Sequence, residues 1–187
     1  MFYMEQITYI PKEMVIFGEL LKKESHIREI SRKTNINHMS VKRIIDKLLD
    51  KNILNFRIEG KNKIFFLKDN LETKNLKIIY EVYKKIEIVK KYPILRTIFE
   101  KIDEDKSIKM AILFGSYAKN LAHPKSDIDI YLKTKDLKLK EKIESFNSKI
   151  SVKIGEFNKK DFLIKEIIKN HIIIKGFEEY CRHERKN

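Results

Sequence analysis

The stretch IKMAILFGSYAKNLAHPKSDIDIYL, residues 108–132, decides how this chain is read. Ile108 to Phe114 is a nearly unbroken apolar run bounded by charge and by Gly115, which predicts a buried strand. Gly115-Ser116 turns the chain, Tyr117 to Asn120 is a short link, and Ser126 to Leu132 reads as the next strand. Alternation along that strand sends the carboxylates of Asp127 and Asp129 to one face and Ile128 and Ile130 to the other. Two carboxylates side by side repel and raise each other's pKa, a cost that a divalent cation removes. The Gly-Ser turn points backbone N–H groups outward, where they suit a phosphate chain; Gly115 permits close approach and the Ser116 hydroxyl adds a hydrogen bond. Metal carboxylates beside a phosphate cradle fit nucleotidyl transfer with Mg2+ (or Mn2+) as cofactor and a nucleoside triphosphate as substrate.

Around this stretch, the 187 residues have room for one medium domain or two small ones, and a 42% hydrophobic content excludes disorder as the main state. Lys and Arg number 41 against 27 Asp and Glu, a formal charge of +14 that favours a polyanionic partner. Lys supplies 34 of those cations and Ile alone 31 residues, so part of the basicity is compositional habit. Cys181 is the single cysteine, which excludes an intramolecular disulfide and a cysteine-based zinc site and points to a reducing, cytoplasmic setting. Met1 to Ile10 lacks a basic start and a small-residue cleavage site, and no apolar run is long enough to span a bilayer, so no membrane partner is expected.

Charge and periodicity divide the chain into residues 1–70, 71–105 and 106–187. The first zone holds 14 basic and 9 acidic residues, the last 19 and 11, and the middle is balanced. In the first zone Pro11 begins a helix to about Lys23, Ser25 caps a short helix through Lys33, and Thr34 to Asn37 is a turn. From His38 to Lys51 the residues Val41, Ile44, Ile45, Leu48 and Leu49 follow helical spacing, leaving Ser40, Lys42, Arg43 and Lys47 outside. Two strand-like runs, Ile53 to Ile58 and Lys63 to Leu67, follow around Glu59-Gly60-Lys61-Asn62. The middle zone reads as a helical connector, one helix ending at Tyr92 and another starting at Pro93.

In order, residues 11–68 resemble a winged helix-turn-helix module of prokaryotic transcription regulators. That resemblance implies a recognition helix at 38–51, with Ser40, Lys42, Arg43 and Lys47 toward duplex DNA, and a wing bearing Arg57, Lys61 and Lys63. The plainer reading is a solvated face on a docking or dimerising module, a homodimer among the expectations.

Gly115-Ser116, followed ten residues later by Ser126-Asp127-Ile128-Asp129, resembles the signature of the DNA polymerase beta nucleotidyltransferase superfamily, and within it the minimal nucleotidyltransferases and the archaeal proteins that fuse one to a winged helix. The resemblance covers about residues 106–182, with Phe162 to Tyr180 as a closing helical segment. It implies Asp127 and Asp129 as catalytic metal ligands, Gly115, Ser116, Lys119 and Ser126 as nucleotide contacts, and an acceptor hydroxyl that can lie on a protein such as a HEPN-type toxin. The expected whole is an α/β (α+β) protein: winged helix-turn-helix, helical connector and small mixed-sheet nucleotidyltransferase fold.

Two departures stand against that pattern. The family places a third carboxylate on the following strand, but Lys149 to Ile154 presents Lys149, Ser151 and Lys153 on its polar face; Glu156 and Asp161 are the nearest substitutes, and a Lys there can replace a metal's charge. Lys119-Asn120 stands where family members carry Arg-Gly, so the bidentate fork is lost. The alternative function is therefore a DNA-binding regulator whose degenerate transferase domain senses nucleotide. Lys125 and Lys133 flank the Asp pair and His171 and Lys175 sit one helical turn apart near the C-terminus; each reads first as an ordinary solvated or partly buried residue.

Overall fold

A computed structural model describes residues 10–185, which fall into two units, one ending at Tyr83 and the other beginning at Lys84. The reading of Met1 to Tyr9 lies outside the described residues.

The first unit runs α1 (Lys12–Lys22), α2 (Ile27–Thr34), α3 (His38–Asp50), β1 (Leu54–Glu59), β2 (Asn62–Leu67) and the start of α4 (Leu71–Lys91). Its core joins Ile16, Phe17 and Leu20 of α1 with Ile30 of α2 and Val41, Ile44, Ile45 and Leu48 of α3, closed by Ile53, Leu54 and Phe65. Helix, helix, turn, helix and antiparallel hairpin is the winged helix-turn-helix order. The turn between α2 and α3 works because Asn35 accepts a left-handed φ of 55° and the Asn37 side chain caps α3, accepting from the Ser40 N–H at 2.8 Å. Ser25 does not cap α2. His26 does, its Nδ1 accepting from the Glu29 N–H, while Ser25 bridges to Phe65 and gives the hairpin a third strand position. Gly18 is the point where α4 reaches α1, because a Cβ there would stand 2.4 Å from the Tyr80 hydroxyl oxygen.

The second unit takes in the end of α4, then α5 (Ile94–Glu104), β3 (Ala111–Phe114), α6 (Gly115–Ala118), β4 (Ile128–Leu132), α7 (Leu137–Glu144), β5 (Ile150–Ile154), α8 (Phe162–Lys169), β6 (Ile172–Lys175) and α9 (Phe177–Arg185). Its sheet has the order β5-β4-β3-β6 and is mixed: β3 is antiparallel to β4 and β6, and β4 is parallel to β5. Alternation divides the core. Leu113, Ile128, Ile130, Leu132, Ile150 and Val152 meet Leu95, Ile98, Phe99 and Ile102 of α5 and Leu139 and Ile143 of α7. On the other face Met110, Ile112, Tyr131 and Ile173 meet Ile164 and Ile167 of α8 and Tyr180 of α9.

The expected closing helical segment, Phe162 to Tyr180, is instead helix, strand and helix. Ile172 to Ile174, three β-branched residues, complete the sheet edge beside β3. Gly176 follows at a φ of +80°, where any Cβ would fall 2.1 Å from the Lys109 carbonyl oxygen. β3 is also shorter than the apolar run from Ile108 implies.

Candidate functional site

The site is built where β3 ends. Phe114 pairs with Asp129 across the antiparallel ladder, so the turn after β3 lies over that carboxylate. Gly115 takes a φ of +69°, and a Cβ on it would stand 2.1 Å from Asp129 Oδ2 and 2.9 Å from Cγ. Both backbone conformation and space thus demand glycine. Asp129 is half-buried and its pKa is raised, first by burial and then by the charge of Asp127, with Lys153 pulling the other way. Asp127 precedes β4 and is exposed; the following N–H, of Ile128, donates to the Lys149 carbonyl at 2.8 Å and fixes the start of the strand.

Ser116 is half-buried in the single turn of α6, its carbonyl accepting from the Leu121 N–H at 2.9 Å. Lys119 is exposed at the end of that turn. Ser126 is buried, and its hydroxyl oxygen accepts from the His123 N–H at 3.0 Å while its own N–H donates to the His123 carbonyl at 2.9 Å. It braces the loop that delivers Asp127. Lys175, read from the sequence first as an ordinary residue, donates to the carbonyls of Asp103 and Asp105 at 2.6 and 2.8 Å. His171 lies between α8 and β6, and burial, followed by the charge of Lys84, lowers its pKa to about 3, so it is neutral at physiological pH.

The parallel register sets Ser151 of β5 against Asp129, so the face that would carry a third acid presents a hydroxyl. Glu156 turns toward Lys135, at 3.8 Å, and Glu156 and Asp161 bring their charge to the Tyr131 hydroxyl, which donates to the Gly155 carbonyl at 2.8 Å. Among the described residues no three His, Cys, Asp or Glu side chains gather as a metal cluster. Asp127 and Asp129 are the acids that flank the turn. Two carboxylates, one half-buried and its charge disfavoured by the other, fit a divalent cation. One acid escaped the sequence reading: Glu166 of α8, whose pKa is lowered mainly by its hydrogen bond to Lys169 at 2.7 Å and also by the charge of Lys119. Its spacing to Lys169 reads as an ordinary surface pair, and nothing local points from α8 to α6.

In the first unit Lys42, Arg43 and Lys47 are exposed on α3 and make no ion pair among the described residues; Ser40 is half-buried beside them. The wing divides differently. Arg57 is held by Glu24 at 2.5 Å and Glu59 at 2.7 Å, Lys63 lies over the Phe56 ring at 4.3 Å, and Lys61 stands exposed at the hairpin tip.

The family described as "Polymerase beta, Nucleotidyltransferase" matches residues 96–180. That span is similar to a polymerase beta nucleotidyltransferase domain. No curated protein matches the chain. Among solved structures it is similar to the transcriptional repressor BigR from Xylella fastidiosa, at 15% identity over 42% of this chain and 78% of that one, with a TM-score of 0.38. It is similar also to a homodimeric winged helix-turn-helix DNA-binding domain from Mycobacterium bovis, at 12% identity over 42% and 70%, with a TM-score of 0.33. A toxin-antitoxin structure with AMP-PNP matches at 18% identity over 53% and 76%, with a TM-score of 0.32. The matched span contains Gly115, Ser116, Asp127 and Asp129, and no described helix is long and apolar enough to cross a membrane.

Proposed function

We propose that the nucleotidyltransferase domain moves a nucleoside monophosphate from a nucleoside triphosphate to an acceptor hydroxyl, on a partner protein in the reading favoured here. The observation that carries this reading is the corner at which Gly115 lies over Asp129 Oδ2, a contact no other residue tolerates. Asp127 and Asp129 would hold Mg2+ or Mn2+. When bound, that cation neutralises phosphate charge and lowers the pKa of the acceptor hydroxyl. The N–H groups and hydroxyl at Gly115-Ser116 orient the phosphates, and Lys119 meets them as a point charge. The acceptor oxygen forms its bond to the α-phosphorus, the α–β anhydride bond breaks, pyrophosphate leaves, and the hydroxyl proton passes to water. The test is incubation of the chain with radiolabelled ATP, CTP, GTP or UTP, Mg2+ and a lysate as acceptor, beside the Asp127→Ala/Asp129→Ala variant. Label transferred by the wild type alone supports the reading; equal label in both sinks it.

Ser151, standing opposite Asp129, favours a second reading: a regulator that binds duplex DNA through Lys42, Arg43 and Lys47 while its transferase domain senses nucleotide. Nucleotide binding without transfer, together with sequence-selective DNA binding lost on replacing Arg43 and Lys47, supports it.

A further inference from the structure

Beside the two acids lies a cation with no assigned role. In the parallel pairing of β4 with β5, Asp129 stands against Ser151 and Tyr131 against Lys153. Ile128, Ile130 and Leu132, with Ile150 and Val152, fill the core on one side, so Asp129, Ser151, Tyr131 and Lys153 share the opposite face. Neighbouring lysines are engaged: Lys133 with Glu179, Lys135 with Glu156, and Lys149 with the Pro124 carbonyl. Lys153 is exposed and makes no ion pair or hydrogen bond among the described residues. Its charge nevertheless reaches Asp129. The register thus puts Lys153 on the same face as Asp129, one same-face position beyond Ser151, with no ion pair between the two.

Two-cation phosphoryl sites place positive charge on both the attacking and the leaving side of the phosphorus, and holding the second ion takes acidic ligands beyond those that hold the first. Here two carboxylates suffice for one ion, and Ser151 offers no third. Resting on the transfer reading above, we propose that the site takes up one divalent cation, not two, and that the Lys153 ammonium supplies the second positive charge by meeting a phosphate of the bound nucleotide. Lysine suits that place because it is a compact charge on a flexible stem, able to follow the phosphate as it changes shape.

The experiment counts ions and measures nucleotide affinity without turnover. The full chain is titrated with Mn2+, read by electron paramagnetic resonance, in the presence of α,β-methylene-ATP and its CTP, GTP and UTP counterparts, and analogue affinity is measured by calorimetry. One Mn2+ per bound analogue is expected. Lys153→Met is expected to weaken analogue binding about ten-fold or more, Lys153→Arg to restore it to within about three-fold, and Ser151→Asp combined with Lys153→Met to take up a second ion. Two Mn2+ per analogue in the wild type, or unchanged affinity in a folded Lys153→Met, overturns this inference and leaves the transfer reading standing. No analogue bound under any condition overturns both. The wild-type ion count is decisive even where a variant fails to fold.

Discussion

The Gly115–Asp129 corner and the outer face of α3 carry their candidate residues in opposite ways. Asp129 is locked by strand pairing under a glycine whose Cβ would overlap its carboxylate, and its charge is raised in energy by burial and by Asp127. Lys42, Arg43 and Lys47 stand free in solvent on a helix whose stability comes wholly from its other side. A strained, half-buried acid has no structural reason to be there, and so it argues for a ligand. Exposed lysines on an amphipathic helix are what solvation alone produces. The first arrangement therefore carries more functional information per residue than the second.

The sharpest way to break that contrast is Gly115→Ala. The substitution forces an alanine into a left-handed φ and against Asp129, whose backbone β4 holds in place. We expect a loss of about 3–5 kcal/mol in thermal denaturation, together with loss of nucleotide binding, while DNA binding by α3 is unchanged. Adding Asp129→Ala removes the Oδ2 and Cγ overlaps and should return much of the stability but none of the binding. Additive losses would mean that the corner is not the constraint described.

Acid should also act on the second unit through His171. Its folded pKa of about 3 lies below the ordinary histidine value, so the neutral ring contributes fully above about pH 6.5. That contribution falls progressively as pH drops from 6.5 toward 3, because the unfolded chain takes up a proton that the folded ring refuses. Chemical denaturation between pH 7 and pH 4 should show a fall on the order of 3 kcal/mol that His171→Leu abolishes. A flat profile in the wild type refutes it.

Both regions were legible in the sequence to different depths, for physical reasons. α3 could be read because Val41, Ile44, Ile45 and Leu48 recur strictly and every one is buried. The Gly-Ser turn and the Asp pair could be read because their constraint is local. What escaped depends on distant partners. Ser25 looks like a helix cap, but Phe65, forty positions on, claims it as a strand bridge. Ile172 to Ile174 continue the apolar pattern of α8 and become a strand only because β3 offers an edge. Arg57 looks like a free wing cation until Glu24 is brought to it. Lys153 was legible as a departure from the acid pattern, but its electrostatic reach to Asp129 follows only from the parallel register.

On the DNA side, the triple change Lys42→Ala, Arg43→Ala and Lys47→Ala tests whether α3 is more than a solvated face. If the three contact phosphates or base edges, affinity for duplex DNA should fall about 100-fold near 0.1 M salt, and the slope of log K against log salt should drop by about 2–3. The core positions of α3 are untouched, so the thermal midpoint of the first unit should not move. An unaltered salt slope would assign the face to solvation and DNA affinity to the bulk charge of the chain.

The smallest expected effect discriminates most finely between an acid kept for a ligand and one kept for the fold. Asp129 has a raised folded pKa, so above that pKa its ionised form costs stability, and the cost disappears as pH falls through it. Asp129→Asn keeps the shape and removes the charge. Without nucleotide or metal the variant should be as stable as the wild type or up to about 1 kcal/mol more stable at neutral pH, and the difference should close on acidification. Mn2+ binding should vanish in the same variant. A gain in stability alongside a loss of metal would show that this carboxylate opposes the fold and serves the ligand. A loss of stability would instead make Asp129 a structural partner of the Gly115 turn, and the contrast with α3 would disappear.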